Sequence, residues 1–102
     1  PSLYCAMFRA EANHQGLAER FLSKLRNLLE EDILQPHGIQ WLGPLPSPME
    51  KRAGLFRAQL VLQSRDRKAL HHQLQSIIYQ AEIDPDARKV RWSVDVDPVD
   101  MF

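Results

Sequence analysis

A solitary cysteine, four isolated glycines and no surplus of either charge narrow the reading of this chain before any motif is sought. Cys5 has no second thiol, so no internal disulfide forms and nothing points to an oxidising compartment. That one thiol, with His14, His37, His71 and His72 scattered along the chain, does not compose a tetrahedral zinc site. Adjacent His71 and His72 stand about 100° apart on a helix, not on one face. Gly16, Gly38, Gly43 and Gly54 are isolated and no G-K-[ST] follows any of them, which removes a phosphate-cradling loop. The serines lack a nucleophile elbow, so no enzyme activity is expected of this stretch. No apolar run approaches the ~18 residues of a membrane span, and no charged-then-apolar leader opens the chain, so no membrane partner is expected. The 13 basic residues balance 13 acidic ones, so any attraction to a polyanion has to come from placement.

What is present describes an ordinary globular domain. With 44% apolar and 25% charged residues, wholesale disorder is excluded. The 102 residues suit one domain, 1–102, able to bury roughly 60–70% of its unfolded surface. Pro1 in first place suggests a piece of a larger protein, and the cytosol is the expected location.

Periodicity alternates between two and 3.6. Leu3 to Glu11 opens with six apolar residues and reads as a strand covered on both sides. From Leu17 to Glu31, the positions Leu17, Ala18, Phe21, Leu22, Leu25, Leu28 and Leu29 form one helical stripe. Ile39 to Leu42 reads as a short edge strand stopped by Gly43, Pro44, Pro46 and Pro48. Gly54 to Gln63 alternates, with Phe56, Ala58, Leu60 and Leu62 on one face and Arg57, Gln59, Val61 and Gln63 on the other. Ser64 or Asp66 caps a second helix with the stripe Leu70, Leu74, Ile77, Ile78 and Ala81. Arg88 to Asp97 is the last strand, with Val90, Trp92, Val94 and Val96 inward and Lys89, Arg91, Ser93, Asp95 and Asp97 outward. The order β-α-β-β-α-β is the split βαβ, or ferredoxin-like, arrangement: an α+β fold with a four-stranded sheet and two helices on one face. The first and third strands are expected at its centre.

Charge placement carries more than net charge. Between Lys51 and Lys68 stand Lys51, Arg52, Arg57, Arg65, Arg67 and Lys68 against the single acid Asp66, and Arg88, Lys89 and Arg91 form a second basic group. The hairpin loop is expected to project Lys51 and Arg52 beside Arg57, as contact with a phosphate backbone requires. The plainer reading is that these charges keep loops and helix starts solvated. Basic residues opening a helix nonetheless oppose its dipole, which favours an anionic partner there. Asp95, Asp97 and Asp100 read as a solvated strand exit rather than a Mg²⁺ site. An RNA-recognition sheet needs aromatics on its open face, and Arg57, Gln59 and Val61 supply none. Tyr4 and Phe8 are expected in the core.

Several stretches resemble a known family. Trp41-Leu42-Gly43-Pro44-Leu45-Pro46, followed by Lys51-Arg52-Ala53-Gly54-Leu55-Phe56-Arg57-Ala58-Gln59-Leu60, is similar to a hairpin of the C-terminal domain of the PriA family of bacterial primosomal helicases. The ending from Pro85-Asp86-Ala87-Arg88 through Trp92-Ser93-Val94-Asp95 to Pro98, the opening Met7-Phe8-Arg9-Ala10-Glu11 and the helix segment Phe21 to Leu28 resemble it too, so the likeness covers essentially the whole chain. The resemblance implies a parent that is an ATP-dependent 3′→5′ DNA helicase of replication restart, cytoplasmic and nucleoid-associated. ATP, Mg and Zn would bind that parent upstream of Pro1, with no cofactor in this stretch. It also implies a domain that contacts forked or single-stranded DNA, packs on the helicase core, and helps dock the acidic tail of single-stranded DNA-binding protein. The residues expected to contact DNA are Lys51, Arg52, Arg57, Lys89 and Arg91. For the acidic tail they are Arg67, Lys68 and His71, the last standing where the family pattern leads one to expect glutamine. Two other readings stay open: a module for acidic peptide tails whose DNA contact is incidental, and a scaffold that only steadies the helicase core.

Overall fold

Nine residues of alternating burial give β1, Tyr4–Ala12. There follow α1, Leu17–Glu30; β2, Gln40–Arg52; β3, Leu55–Ser64; α2, Arg67–Ile83; a 3₁₀ turn, Pro85–Lys89; and β4, Arg91–Asp97. The computed structural model describes residues 3–97; the side chains of residues 48–52 and 97 fall outside that description. The four strands form one antiparallel sheet in the order β2-β3-β1-β4, so β1 and β3 are central, as their apolar content requires. Helices α1 and α2 pack on one face, giving the ferredoxin-like α+β fold.

That face carries the core. Phe8, Phe21, Leu22, Leu25, Leu60, Leu62 and Ile77 are almost fully buried, and each contributes roughly 2 kcal/mol of apolar burial. Phe8 on β1 stacks on Trp92 of β4 with ring centroids 5.2 Å apart. The buried residues pack on one another in a single cluster between the sheet and the two helices. Two further devices fix the layers. The Asp66 carboxylate caps α2 by accepting from the Lys68 and Ala69 amides at 3.0 and 3.2 Å. Lys24 on α1 reaches Asp84 and Asp86 after α2, at 3.0 and 2.9 Å.

The structure departs from the sequence reading at several points. The first strand is covered on one side only: Cys5 and Met7 lie half-buried on the open face, shielded sideways by neighbouring strands rather than by a second layer. Leu28 falls outside the buried stripe and is half exposed. β2 is not stopped by its prolines but continues to Arg52, with register shifts between Leu42 and Leu45 and between Pro46 and Lys51. An edge strand tolerates this, because a missing prolyl N–H deprives no neighbour on the solvent side. At the first shift Gly43 has φ 99°, and a Cβ there would stand 3.0 Å from the Gln59 carbonyl oxygen, which demands glycine. Lys51 and Arg52 therefore lie in the strand, not in the loop. The loop is the two residues Ala53 and Gly54, both with positive φ, a pairing suited to the twist of a tight hairpin. Asp66, not Ser64, caps α2; the Ser64 hydroxyl accepts from the Asp66 amide instead. The last strand starts at Arg91, because Asp84 and Pro85 wind residues 85–89 into a 3₁₀ turn that takes Lys89 off the strand.

Candidate nucleic-acid interface

Antiparallel pairing brings together residues far apart in the chain. The end of β1, the start of β3, the start of β4 and the end of β2 all lie at the Ala53–Gly54 hairpin end of the sheet. Glu11 stands opposite Arg57 on one side and opposite Arg91 on the other. Because side chains alternate along strands, all three project from the open face. The Glu11 carboxylate, one-fifth exposed, lies 3.4 Å from Arg57 Nε and 3.7 Å from Arg91 Nη1. Arg57 is partly covered, whereas the Arg91 side chain is 83% exposed.

Lys51 and Arg52 pair by register with Phe56 and Leu55, which puts their backbones at the same end; their side chains lie outside the described residues. Lys89 is exposed in the turn leading into β4. It borders an open cleft of about 420 Å³ whose walls include Glu11, Asn13, Leu55, Arg88, Lys89 and Arg91. The sequence-derived DNA set thus converges on one end of the sheet, as far as it is described. Glu11 was missing from that set, since only the register reveals that it faces both arginines.

The other set sits elsewhere. Arg67, Lys68 and His71 open α2 at the opposite end of the sheet, all three exposed, with Arg67 also engaged within the fold. From Arg57 to Ser64, β3 climbs roughly 23 Å at about 3.3 Å per residue, so one compact ligand does not bridge both groups. Asp66 faces the α2 opening as its cap.

The rest of the open face is mixed. Asp95 is exposed, as a solvated strand exit is, and pairs with Arg9 at the surface; the Asp97 side chain and Asp100 lie outside the described residues. Leu42, Leu45 and Val61 add apolar surface at the β2 side. The aromatic side chains of the strands turn away: Phe8 and Trp41 are buried, and Tyr4 and Trp92 pack against the core. Among the described residues the open face of the central strands has no aromatic on which a base could stack. Nor do the described residues gather three groups able to hold a metal ion. No helix is long and apolar enough to cross a membrane.

Titration is perturbed at the helix clamps. The hydrogen bonds that Lys24 donates to Asp86 and Asp84 raise its pKa, and the one to Asp86 lowers that carboxyl's. Arg26, bonded to Glu30 at 2.8 Å, holds the Glu30 carboxyl below its ordinary value; Arg26 also donates to the Gly43 carbonyl. Lys24 ties α1 to the segment after α2 and Arg26 ties it to β2, while the Arg26–Glu30 pair lies within α1.

The family model described as Primosomal protein N C-terminal domain matches residues 1–99. The replication restart protein PriA of Haemophilus influenzae is 39% identical over 101 residues, covering 99% of this chain and 13% of that protein. The chain therefore spans a small fraction of the length of this relative. Among solved structures, the de novo designed protein Foldit4 is similar with a TM-score of 0.65 at 13% identity, over 93% of this chain and 96% of that one. A dimeric ferredoxin-like protein from an uncultured marine organism has a TM-score of 0.59 at 8% identity, over 95% and 94%. At such identities the likeness to these two speaks for the fold alone.

Proposed function

This chain belongs to the family of primosomal protein N C-terminal domains, and on that footing we propose that it is a DNA-contacting and docking domain of a replication-restart helicase. The hairpin end takes the backbone of forked or single-stranded DNA through Arg57 and Arg91, extended by Lys51, Arg52 and Lys89. The opening of α2 takes the acidic tail of single-stranded DNA-binding protein through Arg67, Lys68 and His71. The rest of the parent polypeptide supplies the ATP, Mg and Zn sites and the helicase core. This stretch itself is read as non-catalytic.

The observation that carries the reading is the flanking of one β1 residue by Arg57 and Arg91, with the ends of β2 and of the 3₁₀ turn beside them. Two guanidinium groups held across a strand suit adjacent phosphates. Among the described residues no helix projects from this end to enter a groove and the open face of the central strands offers no aromatic for stacking, so the binding selects charge and shape over sequence. If about four phosphates are neutralised, affinity for a labelled DNA fork falls on the order of a hundredfold between 50 and 200 mM salt. Affinity indifferent to salt rejects the assignment.

A further inference from the structure

Glu11 is an anion placed inside a basic rim, and the fold does not need it there for burial. Its neighbours on β1, Ala10 and Ala12, turn into the core, while Glu11 points to the open face and remains partly exposed. Both oxygens are used, Oε2 toward Arg57 and Oε1 toward Arg91, at 3.4 and 3.7 Å. These separations are longer than the 2.7–2.9 Å of a tight charge-assisted hydrogen bond. With Arg91 largely exposed, the contact is a loose ion pair that solvent screens and a competing anion can exchange. Asp84 and Asp86, also toward this end, pair with Lys24. Glu11 also lines the cleft bounded by Arg88, Lys89 and Arg91.

We infer that Glu11 is a built-in competitor for backbone phosphate: it occupies the position between Arg57 and Arg91 that a phosphodiester takes, and so restrains the affinity of the hairpin end. This rests on the reading that DNA binds at that end. No bond is made or broken; a carboxylate contact is exchanged for a phosphate contact, and the carboxylate is left beside the incoming charge, which it repels. The consequence is a surface that binds weakly and releases readily, with one anionic contact fewer than its count of cations suggests. A neutral side chain at this position removes both the competition and the repulsion. Had the carboxylate instead served to position the two arginines, its loss would weaken binding.

The test compares the 102-residue chain with Glu11→Gln and Glu11→Ala, using a labelled DNA fork at 50, 100 and 200 mM salt. Circular dichroism confirms that each variant is folded, and two variants guard against one failing to fold. The expected result is three- to tenfold tighter binding at 50 mM salt and a salt dependence steeper by about one in the log–log slope. Unchanged or weaker binding by the folded variants, with wild-type protein binding in a salt-dependent way, overturns the inference and leaves the DNA reading standing. No binding by wild-type or variant removes the DNA reading itself, and the inference with it. Binding by the variants alone supports both.

Discussion

The two ends of the sheet gather positive charge in different ways. At the hairpin end it is assembled across strands: Arg57 and Arg91 are 34 positions apart in the chain and meet only because β1 lies between β3 and β4. At the α2 end it is local, since Arg67, Lys68 and His71 lie within the first turn or two of one helix. The first group is offset by an acid from another strand, Glu11; the second faces the carboxylate that caps its own helix, Asp66. A cross-strand pair of guanidinium groups is held in spacing by backbone hydrogen bonds and suits a regular polyanion. At the α2 opening the Lys68 and Ala69 amides are taken by the Asp66 cap, so only side-chain charge is on offer, which on the proposed reading suits a single acidic group or a short tail. The separation along β3 makes the two surfaces independently breakable.

Replacing both Arg57 and Arg91 with glutamine is the largest perturbation of that contrast. It should weaken fork binding on the order of tenfold at 0.1 M salt and flatten the salt dependence, while an acidic tail peptide binds as before. Fluorescence anisotropy with both ligands checks this, and a parallel loss of peptide binding merges the two surfaces into one. Arg67→Ala should have the opposite selectivity. Tail binding falls about fivefold, as for one exposed charge pair, with fork affinity within twofold of wild type. Equal losses for the two ligands argue against separate roles.

The smallest effect concerns the clamps and appears with pH. Asp86, near the hairpin end, and Glu30, near the α2 end, have pKa values below their ordinary 3.8 and 4.5 because Lys24 and Arg26 hydrogen-bond to them. A lowered carboxyl pKa stabilises the fold fully above its ordinary value, and that contribution is lost as pH falls through the lowered folded value. Lys24, raised above 10.5, contributes fully below that value and loses its share as pH rises past it. Urea midpoints should therefore be flat with respect to these groups between pH 6 and 9 and drop on acidification below about pH 4. Lys24→Met should remove the Asp86 share of that drop and Arg26→Met the Glu30 share. An acid limb of unchanged depth in both variants refutes the attribution.

Much of this was legible without coordinates, for identifiable reasons. Strand β1 shows in the sequence as a short apolar run, β3 because its helix-facing residues alternate with mostly polar ones, and α2 because its stripe sits between Asp66 and Pro85. The full length of β2 is not legible in the sequence, because proline is judged there by its missing donor. Whether that donor faces a neighbour or solvent depends on which side of the strand is unpaired. Lys89 was misplaced by the 3₁₀ turn, whose capping by Asp84 depends on a single hydrogen bond to the Asp86 amide at 2.8 Å. Glu11 was invisible as part of the site because nothing local marks it.

The amino-acid sequence alone determined the element order, the apolar faces, the basic groups and the family, because these follow from periodicity, composition and matched motifs along one strand of information. Only the tertiary structure decided which charges meet. Strand register sets contacts between residues many positions apart, and a shift of a single residue would turn Glu11 from the arginines into the core.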